Sequence, residues 1–255
     1  MRQQVPEARL HAAAADDPAA IHLAQASGPS RGAVDSTAVR SLLDAGRGSR
    51  ELKALVYTSV LFVLGDTGDV PAPEALAENP PAYAAPRAQA ERQVLRAGEG
   101  EMTCAVIRPG MVYGGGRGGS GSELFRGAVE DGAPTYVGGG ANRWSLVHRG
   151  DVAELYRLVV ERRAGGIFHA VDGRPLAVRE VAEHVSRAAG AGGQIRSVTV
   201  EQARQELGAF ADALCLDQVA DASRSRTLGW GPRWHDFGSA AAAAFAEWQR
   251  ERRAQ

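Results

Sequence analysis

The chain has 255 residues, enough for one large domain or a domain with a small annex, and at 44% hydrophobic and 23% charged it has ordinary globular composition. A formal net charge of -1 gives no electrostatic case for nucleic acid or an anionic membrane surface. Two cysteines, Cys104 and Cys215, make neither a metal site nor a disulfide framework, and with no signal peptide and no run near the ~20 apolar residues of a membrane span, a cytoplasmic protein is expected.

Apolar periodicity alternates between strand and helix character. Residues 18–24 predict a short buried strand. Asp35 or Ser36 is placed to cap a helix running through Leu42, Leu43 and Ala45 and stopping at Gly46. Residues 53–60 (KALVYTSV) form the next strand, followed by a Gly/Pro/Asp-rich loop to Pro81, a helix over 82–97 and a strand over 102–108 stopped by Pro109-Gly110. Strands alternating with helices, apolar on both faces, argue for a parallel sheet with right-handed crossovers. Beyond residue 110, helices are expected at 122–130, 151–163, 176–189, 200–213 and 238–252. Short strands are expected near 134–137, 144–148, 166–170 and 195–199. The fold class is therefore α/β, with residues 1–120 as a Rossmann-like core and 121–255 as a smaller lobe interleaved with it.

Tyr83 and Arg87 stand four apart on a predicted helix, and Glu91 adds another turn. Thr58 and Ser59 close one strand, and Arg108-Pro109-Gly110 closes the next, at the sheet end where open α/β proteins place their sites. A fixed cation one turn from a tyrosine favours tyrosinate, and a nearby hydroxyl can orient a substrate oxygen, which together suit proton transfer at a carbinol. His22 reads as a satisfied core histidine and Asp151 as a helix N-cap, while no cluster has metal-ligand spacing.

Several ordered segments resemble the extended short-chain dehydrogenase/reductases, the NAD-dependent epimerase/dehydratase group. AAIHLA at 19–24 is similar to the family's fourth strand, LVYTSVLFVLGDTG at 55–68 to its serine strand, and YAAPRAQAERQVL at 83–95 to its tyrosine helix. IRPGMVYGGG at 107–116 resembles the Arg-Pro loop, and WSLVHRGDVAELY at 144–156 and LGWGPRW at 228–234 resemble the C-terminal lobe. The resemblance implies an NAD- or NADP-linked oxidoreductase, epimerase or dehydratase acting on a small hydroxyl or carbonyl compound or a sugar nucleotide. It implies Tyr83, Arg87 and Ser59 as catalytic residues. Leu23, Ala24, Thr58, Pro109, Gly110, Met111 and Val112 would lie along the cofactor, with Arg108 and Trp144 on the substrate. It also implies a homodimer, through helices near 36–46 and 82–97 that carry Leu42, Leu43, Val94 and Leu95.

The departures matter as much. Arg87 stands where the family has lysine, and Val60 where it often has a hydroxyl. Residues 1–27 contain no glycine, so the family's first G-x-x-G-x-x-G unit is expected to be missing, with the chain starting in the helix before the fourth strand and binding dinucleotide weakly. Gly114, Gly116 and Gly119 satisfy G-x-G-x-x-G but sit after the Arg-Pro loop and read as a substrate-side loop. The competing expectation is a member that no longer uses dinucleotide: a cofactor-independent isomerase or cyclase, or a non-catalytic binding or scaffold protein.

Overall fold

A computed structural model describes residues 18–254, except 27, 29, 50, 51, 101 and 116–118; the expected N-terminal helix before residue 18 lies outside the described residues. The four central strands are β1 (Ala19–His22), β2 (Ala54–Thr58), β3 (Thr103–Pro109) and β8 (Gly166–Ala170). They form one sheet in the order β1-β2-β3-β8, and every neighbouring pair is parallel. The α/β reading with a parallel sheet is thus what the chain adopts.

Each strand feeds one residue in two to either face. Leu55, Tyr57, Cys104 and Val106 pack on one side under helices α1 (Arg31–Gly48) and α2 (Ala85–Ala97). Val56, Ala105, Ile107 and Phe168 face the other side, where α4 (Arg149–Glu161) and the C-terminal elements complete a larger core. Strand β8 comes from the second half of the sequence, so the C-terminal half completes the central sheet before it builds its own layer.

That layer begins with β4 (Met111–Tyr113), α3 (Gly119–Glu130), β5 (Thr135–Val137), β6 (Arg143–Trp144) and β7 (Leu146–His148). After β8 come β9 (Leu176–Ala177), α5 (Val178–Ala188), β10 (Arg196–Val198), α6 (Val200–Leu207), α7 (Phe210–Leu214), α8 (Ser223–Thr227) and α9 (Phe237–Arg253). Three two-stranded pairs, β10-β5, β4-β7 and β6-β9, tie the layer together. The helix expected over 200–213 is two helices because Gly208, at φ +57°, ends α6. The strand expected over 144–148 is likewise two strands, β6 and β7.

Three local expectations give way to tertiary contacts. Helix α1 starts a turn earlier than Asp35, whose carboxylate turns inward instead of capping. His148, not Asp151, caps α4 through Nδ1, and Asp151 accepts from the Arg233 and Trp234 amides. Leu42, Leu43 and Val94, expected at a dimer face, are buried in the chain's own core. The cavity between α1 and α2 is lined by Arg40, Leu43, Asp44, Arg47, Gln93 and Arg96, among others.

Asp172, just past β8, is buried with Oδ1 accepting from the Arg174 amide and Oδ2 unpartnered. Burial pushes its carboxyl up to about 7. An acid whose folded pKa is raised contributes fully below its unfolded value near 3.8, and that contribution fades as pH rises to about 7. Asp172→Asn is therefore expected to be more stable than the parent at pH 8 by roughly 1–3 kcal/mol and to lose the decline between those pH values. Urea unfolding of both chains at a series of pH values measures this; parallel profiles would contradict it.

Candidate functional site

The loop after β2 organises the sheet end. A 3₁₀ turn over Leu61–Leu64 is pinned when Gln218 Nε2 donates to the Leu61 and Gly65 carbonyls at 2.9 and 3.0 Å. This holds Phe62 edge-on to Tyr83, with ring centroids 6.2 Å apart. Phe210 of α7 meets both rings, at 6.1 Å from Phe62 and 4.7 Å from Tyr83. The C-terminal layer thereby reaches across to the turn that carries the tyrosine.

Tyr83 lies in the turn before α2, half-buried. Its hydroxyl oxygen accepts from Gln25 Nε2 at 3.2 Å. The Arg31 guanidinium lies over the ring, 3.8 Å from the centroid, and donates to the Tyr83 carbonyl at 2.9 Å. A guanidinium over an aromatic face is attracted by the ring quadrupole, so Arg31 helps to hold the ring in place. The cation at Tyr83 is thus Arg31 and not Arg87.

Arg87 turns inward. It donates to the Tyr57 hydroxyl at 3.1 Å and the Thr58 carbonyl at 2.7 Å, and stands 3.7 Å from Asp35. Asp35 also accepts from Tyr57 at 2.5 Å and faces His22 Nε2 at 2.8 Å. The physical reason is electrostatic: a buried carboxylate draws the nearest fixed cation. Burial alone would raise the Asp35 pKa, but the bond from His22 and the Arg87 charge outweigh it and hold the carboxyl below its usual range. His22 is the satisfied core histidine that its position in a strand predicts. Arg87 still lines the cavity wall, beside Asp35 and below Tyr83.

Two cavities meet at Tyr83. A narrow inner pocket is lined by Gln25, Arg31, Asp35, Val60, Tyr83 and Arg87, among others. A cleft of about 740 Å³ lies outward, between Tyr83, Trp144, Phe210 and the C-terminal layer. Tyr83 and Gln25 line both.

Other expected residues fall elsewhere. Ser59 is buried beside Glu91, with no hydrogen-bond partner of good geometry for its Oγ, and lines neither cavity; Val60 lines the inner one. Thr58 Oγ1 lies 2.6 Å from the Tyr156 hydroxyl of α4, whose pKa burial pushes up to about 12. Arg108, expected at the substrate, is 1% exposed and donates from Nε and Nη2 to the Glu91 carboxylate at 2.6–3.1 Å. The reason is that β3 aims this side chain at a fully buried carboxylate. Pro109 is buried at the end of β3, and Gly110 packs against the Ser145 carbonyl where a Cβ would collide. Met111 and Val112 are half-buried in β4. Leu23 (62% exposed) and Ala24 follow β1 at the surface, leading into Gln25. Trp144 lines the large cleft as expected, its indole N–H donating to the Leu214 carbonyl at 3.1 Å.

Among the described residues, the two glycines that open the run after β4 are closely packed. A Cβ on Gly114 would meet His148 Nε2 at 2.5 Å, and one on Gly115 would meet Arg149 Nη1 at 2.5 Å. Gly116 lies outside the described residues, and Gly119 begins α3. The inner pocket groups an amide, two guanidinium groups, the Asp35 carboxylate and a phenol around a free volume of about 20 Å³, which has room for a water molecule and admits a nicotinamide only if Arg31 and Gln25 move off Tyr83. Among the described residues no group of three or more His, Cys, Asp or Glu is placed to hold a metal ion, and no helix is long and apolar enough to cross a membrane.

Curated relatives include the Schizosaccharomyces pombe protein C2A9.02, 28% identical over 202 residues, covering 78% of this chain and 66% of that protein. The Saccharomyces cerevisiae protein YLL056C is 28% identical over 150 residues, covering 58% of this chain and 50% of its own length. This chain thus spans between half and two thirds of these relatives. Among solved structures, Streptomyces venezuelae DesIV, a dTDP-glucose 4,6-dehydratase with NAD and TYD bound, superposes with a TM-score of 0.82 at 21% identity, over 98% of this chain and 78% of that one. The human epimerase family protein SDR39U1 with NADPH superposes with a TM-score of 0.82 at 18% identity, over 96% of this chain and 89% of that one. Thermus thermophilus UDP-glucose 4-epimerase with NAD gives 0.80 at 21% identity, over 96% and 82%. At these identities the superpositions establish the fold. The family model described as NAD dependent epimerase/dehydratase matches residues 3–170, and the chain belongs to that family.

Proposed function

We propose that the chain is an NAD(P)-linked oxidoreductase, epimerase or dehydratase in which Tyr83 exchanges a proton with the oxygen of a small hydroxyl or carbonyl substrate. The observation that carries this reading is the position of Tyr83 on the wall shared by the inner donor-lined pocket and the outer cleft. The nicotinamide end of a dinucleotide, admitted by displacement of Arg31 and Gln25 from the narrow inner pocket, and a substrate in the cleft would both reach its hydroxyl. Bound nicotinamide supplies or accepts hydride. Gln25 and Arg31 would hold the ribose and amide oxygens of that group, and Arg87 would border it.

Gln25 donates to the Tyr83 oxygen, which leaves the hydroxyl proton free for a ligand oxygen in the cleft. In the reducing direction Tyr83 gives that proton to the carbonyl oxygen as it becomes an alcohol, and in the oxidising direction it takes the proton back. Phe62 and Phe210 exclude water from one face of the ring. Ser59 takes no part, because its hydroxyl is beneath the pocket wall.

Incubating the chain with NADH or NADPH and a panel of aldehydes and ketones, and following the loss of reduced cofactor, tests the reading. Turnover with at least one pair is the expected result. Saturable binding of small carbonyl compounds without turnover and without binding of either dinucleotide would support the rival, a ligand-binding member without redox chemistry. The close contact of Arg31 and Gln25 on Tyr83, which narrows the inner pocket, is the observation on that rival's side.

A further inference from the structure

The charges in the outer cleft bear on what it holds. Its ionisable lining is Glu123, Arg126, Asp131, Arg196 and Glu206, two cations against three anions. Arg126 is already bound by Glu123 and stands 3.9 Å from Glu130. Arg196 is the only lining cation that makes no ion pair among the described residues, and it shares the cleft with Asp131 and Glu206. A nucleoside diphosphate needs charge-assisted donors, from several cations or from an open helix start. The helix start that borders this cleft, α6, is closed: the Gln202 amide donates to Thr199 Oγ1 at 3.2 Å, and Glu201 adds a negative charge to the same turn. The cleft therefore opposes a polyanion.

The rest of its wall sets the side chains of Gln25, Thr135 and Gln202 beside a larger apolar surface. Tyr136, Trp144, Val198, Leu207, Phe210 and Leu214 line it, and Leu207 is 44% exposed there. The Trp144 indole N–H is engaged away from a ligand, and the Tyr136 hydroxyl oxygen has a partner outside the cleft lining. Trp144 donates to the Leu214 carbonyl, and the Tyr136 hydroxyl accepts from Arg179 at 3.4 Å. The inner end narrows to the Tyr83 and Phe210 rings, 4.7 Å apart and inclined at 35°. A pocket of about 740 Å³ whose wall is more apolar than polar, with the Tyr83 hydroxyl at its inner end, has the makeup of a site for an uncharged organic molecule.

We infer that the cleft takes an uncharged small molecule with an aromatic or otherwise apolar body and one carbonyl or hydroxyl oxygen directed at Tyr83, and that it rejects nucleoside diphosphate conjugates. This rests on the reading of Tyr83 above only for which end of the ligand carries the oxygen. The body of the ligand packs between Phe210, Trp144 and Leu207, where burial of apolar surface drives binding.

The test is binding alone, without dinucleotide and without turnover. Benzylacetone, a neutral aryl ketone, and UDP are titrated separately by ligand-observed NMR. Benzylacetone is expected to bind at least ~10-fold more tightly than UDP, with an affinity unchanged when salt is raised, because no charge is being screened. Leu207→Glu, at an exposed position that tolerates a polar side chain, is expected to weaken benzylacetone binding ~10-fold or more. Phe210→Ala is expected to do the same by removing the stacking surface. Tighter binding of UDP, salt-sensitive binding of benzylacetone, or indifference of benzylacetone to both substitutions would overturn the inference, as would failure of benzylacetone to bind. Each of these outcomes leaves the proton-transfer role of Tyr83 to be judged by turnover, so the two readings fail separately.

Discussion

Glu91→Gln is expected to destabilise the chain by roughly 3–5 kcal/mol, because it leaves the Arg108 guanidinium buried without its counter-charge. Arg108 is 1% and Glu91 0% exposed, and the pair is joined by Nε and Nη2 to both carboxylate oxygens. Burial pushes the Glu91 carboxyl upward, against the pull of Arg108. The Arg108 charge in turn helps burial drive His169, buried nearby, down to about 4, so that histidine is neutral at pH 7 and offers no compensation. Arg108 Nη1 already lacks a partner, which leaves no spare acceptor to take over the lost bonds. Replacing both partners by apolar residues of similar size, Glu91→Leu with Arg108→Met, is expected to recover most of the loss. Urea unfolding at pH 7 with a common slope measures all three chains. A loss below ~1 kcal/mol for Glu91→Gln would show that water reaches the pair.

Tyr83→Phe is expected to lower turnover on the order of 10²-fold or more while leaving stability nearly unchanged. The substitution removes one oxygen. The ring keeps its contacts with Phe62, Phe210 and the Arg31 guanidinium, all of which act on carbon atoms. Arg31→Ala retains the hydroxyl but loosens the ring, and is expected to cost about 10-fold through misplacement. Added to Tyr83→Phe it is expected to cost little more, since the group it positions is already gone. Arg87→Ala behaves differently. It removes donors from the Tyr57 hydroxyl and the Thr58 carbonyl and leaves Asp35 with His22 and Tyr57 but without its fixed cation, so it is expected to lower stability as well as turnover. Full turnover by Tyr83→Phe would leave the tyrosine a packing residue.

The parallel sheet was legible because its strands are short, apolar on both faces and separated by helices of clear period. Tyr83 was legible from the ordered segments around it, and Trp144 from the same resemblance. Its true neighbours were not. Gln25 and Arg31 lie in a surface stretch with no motif, and only folding brings them to a turn more than fifty residues later. The four-residue spacing of Tyr83 and Arg87 suggests a pair, but Tyr83 precedes the helix and Asp35 competes for Arg87. Asp35 itself has the residue type of a helix cap, and nothing local shows that its partners would be His22 and Tyr57. Arg108 follows the same pattern: its segment points to a substrate loop, while the buried Glu91 on α2 captures the side chain. In each case a buried opposite charge, invisible along the sequence, decided where a long cationic side chain went. Gly208 is a local signal for a break; it splits the helix expected over 200–213 and places Phe210 against Tyr83.

The central claim is that dinucleotide and substrate meet at Tyr83. The chain has five tyrosines, so uniform incorporation of 3-fluorotyrosine gives a small set of fluorine resonances, and Tyr83→Phe identifies the one at issue. Titration with NADPH or NADH and, separately, with benzylacetone is followed at that resonance. The account predicts that each ligand shifts the Tyr83 signal, that the two together give a third position, and that Tyr113, buried away from both cavities, stays in place. A Tyr83 signal that neither ligand moves, in a chain that binds both by an independent measurement, would contradict it.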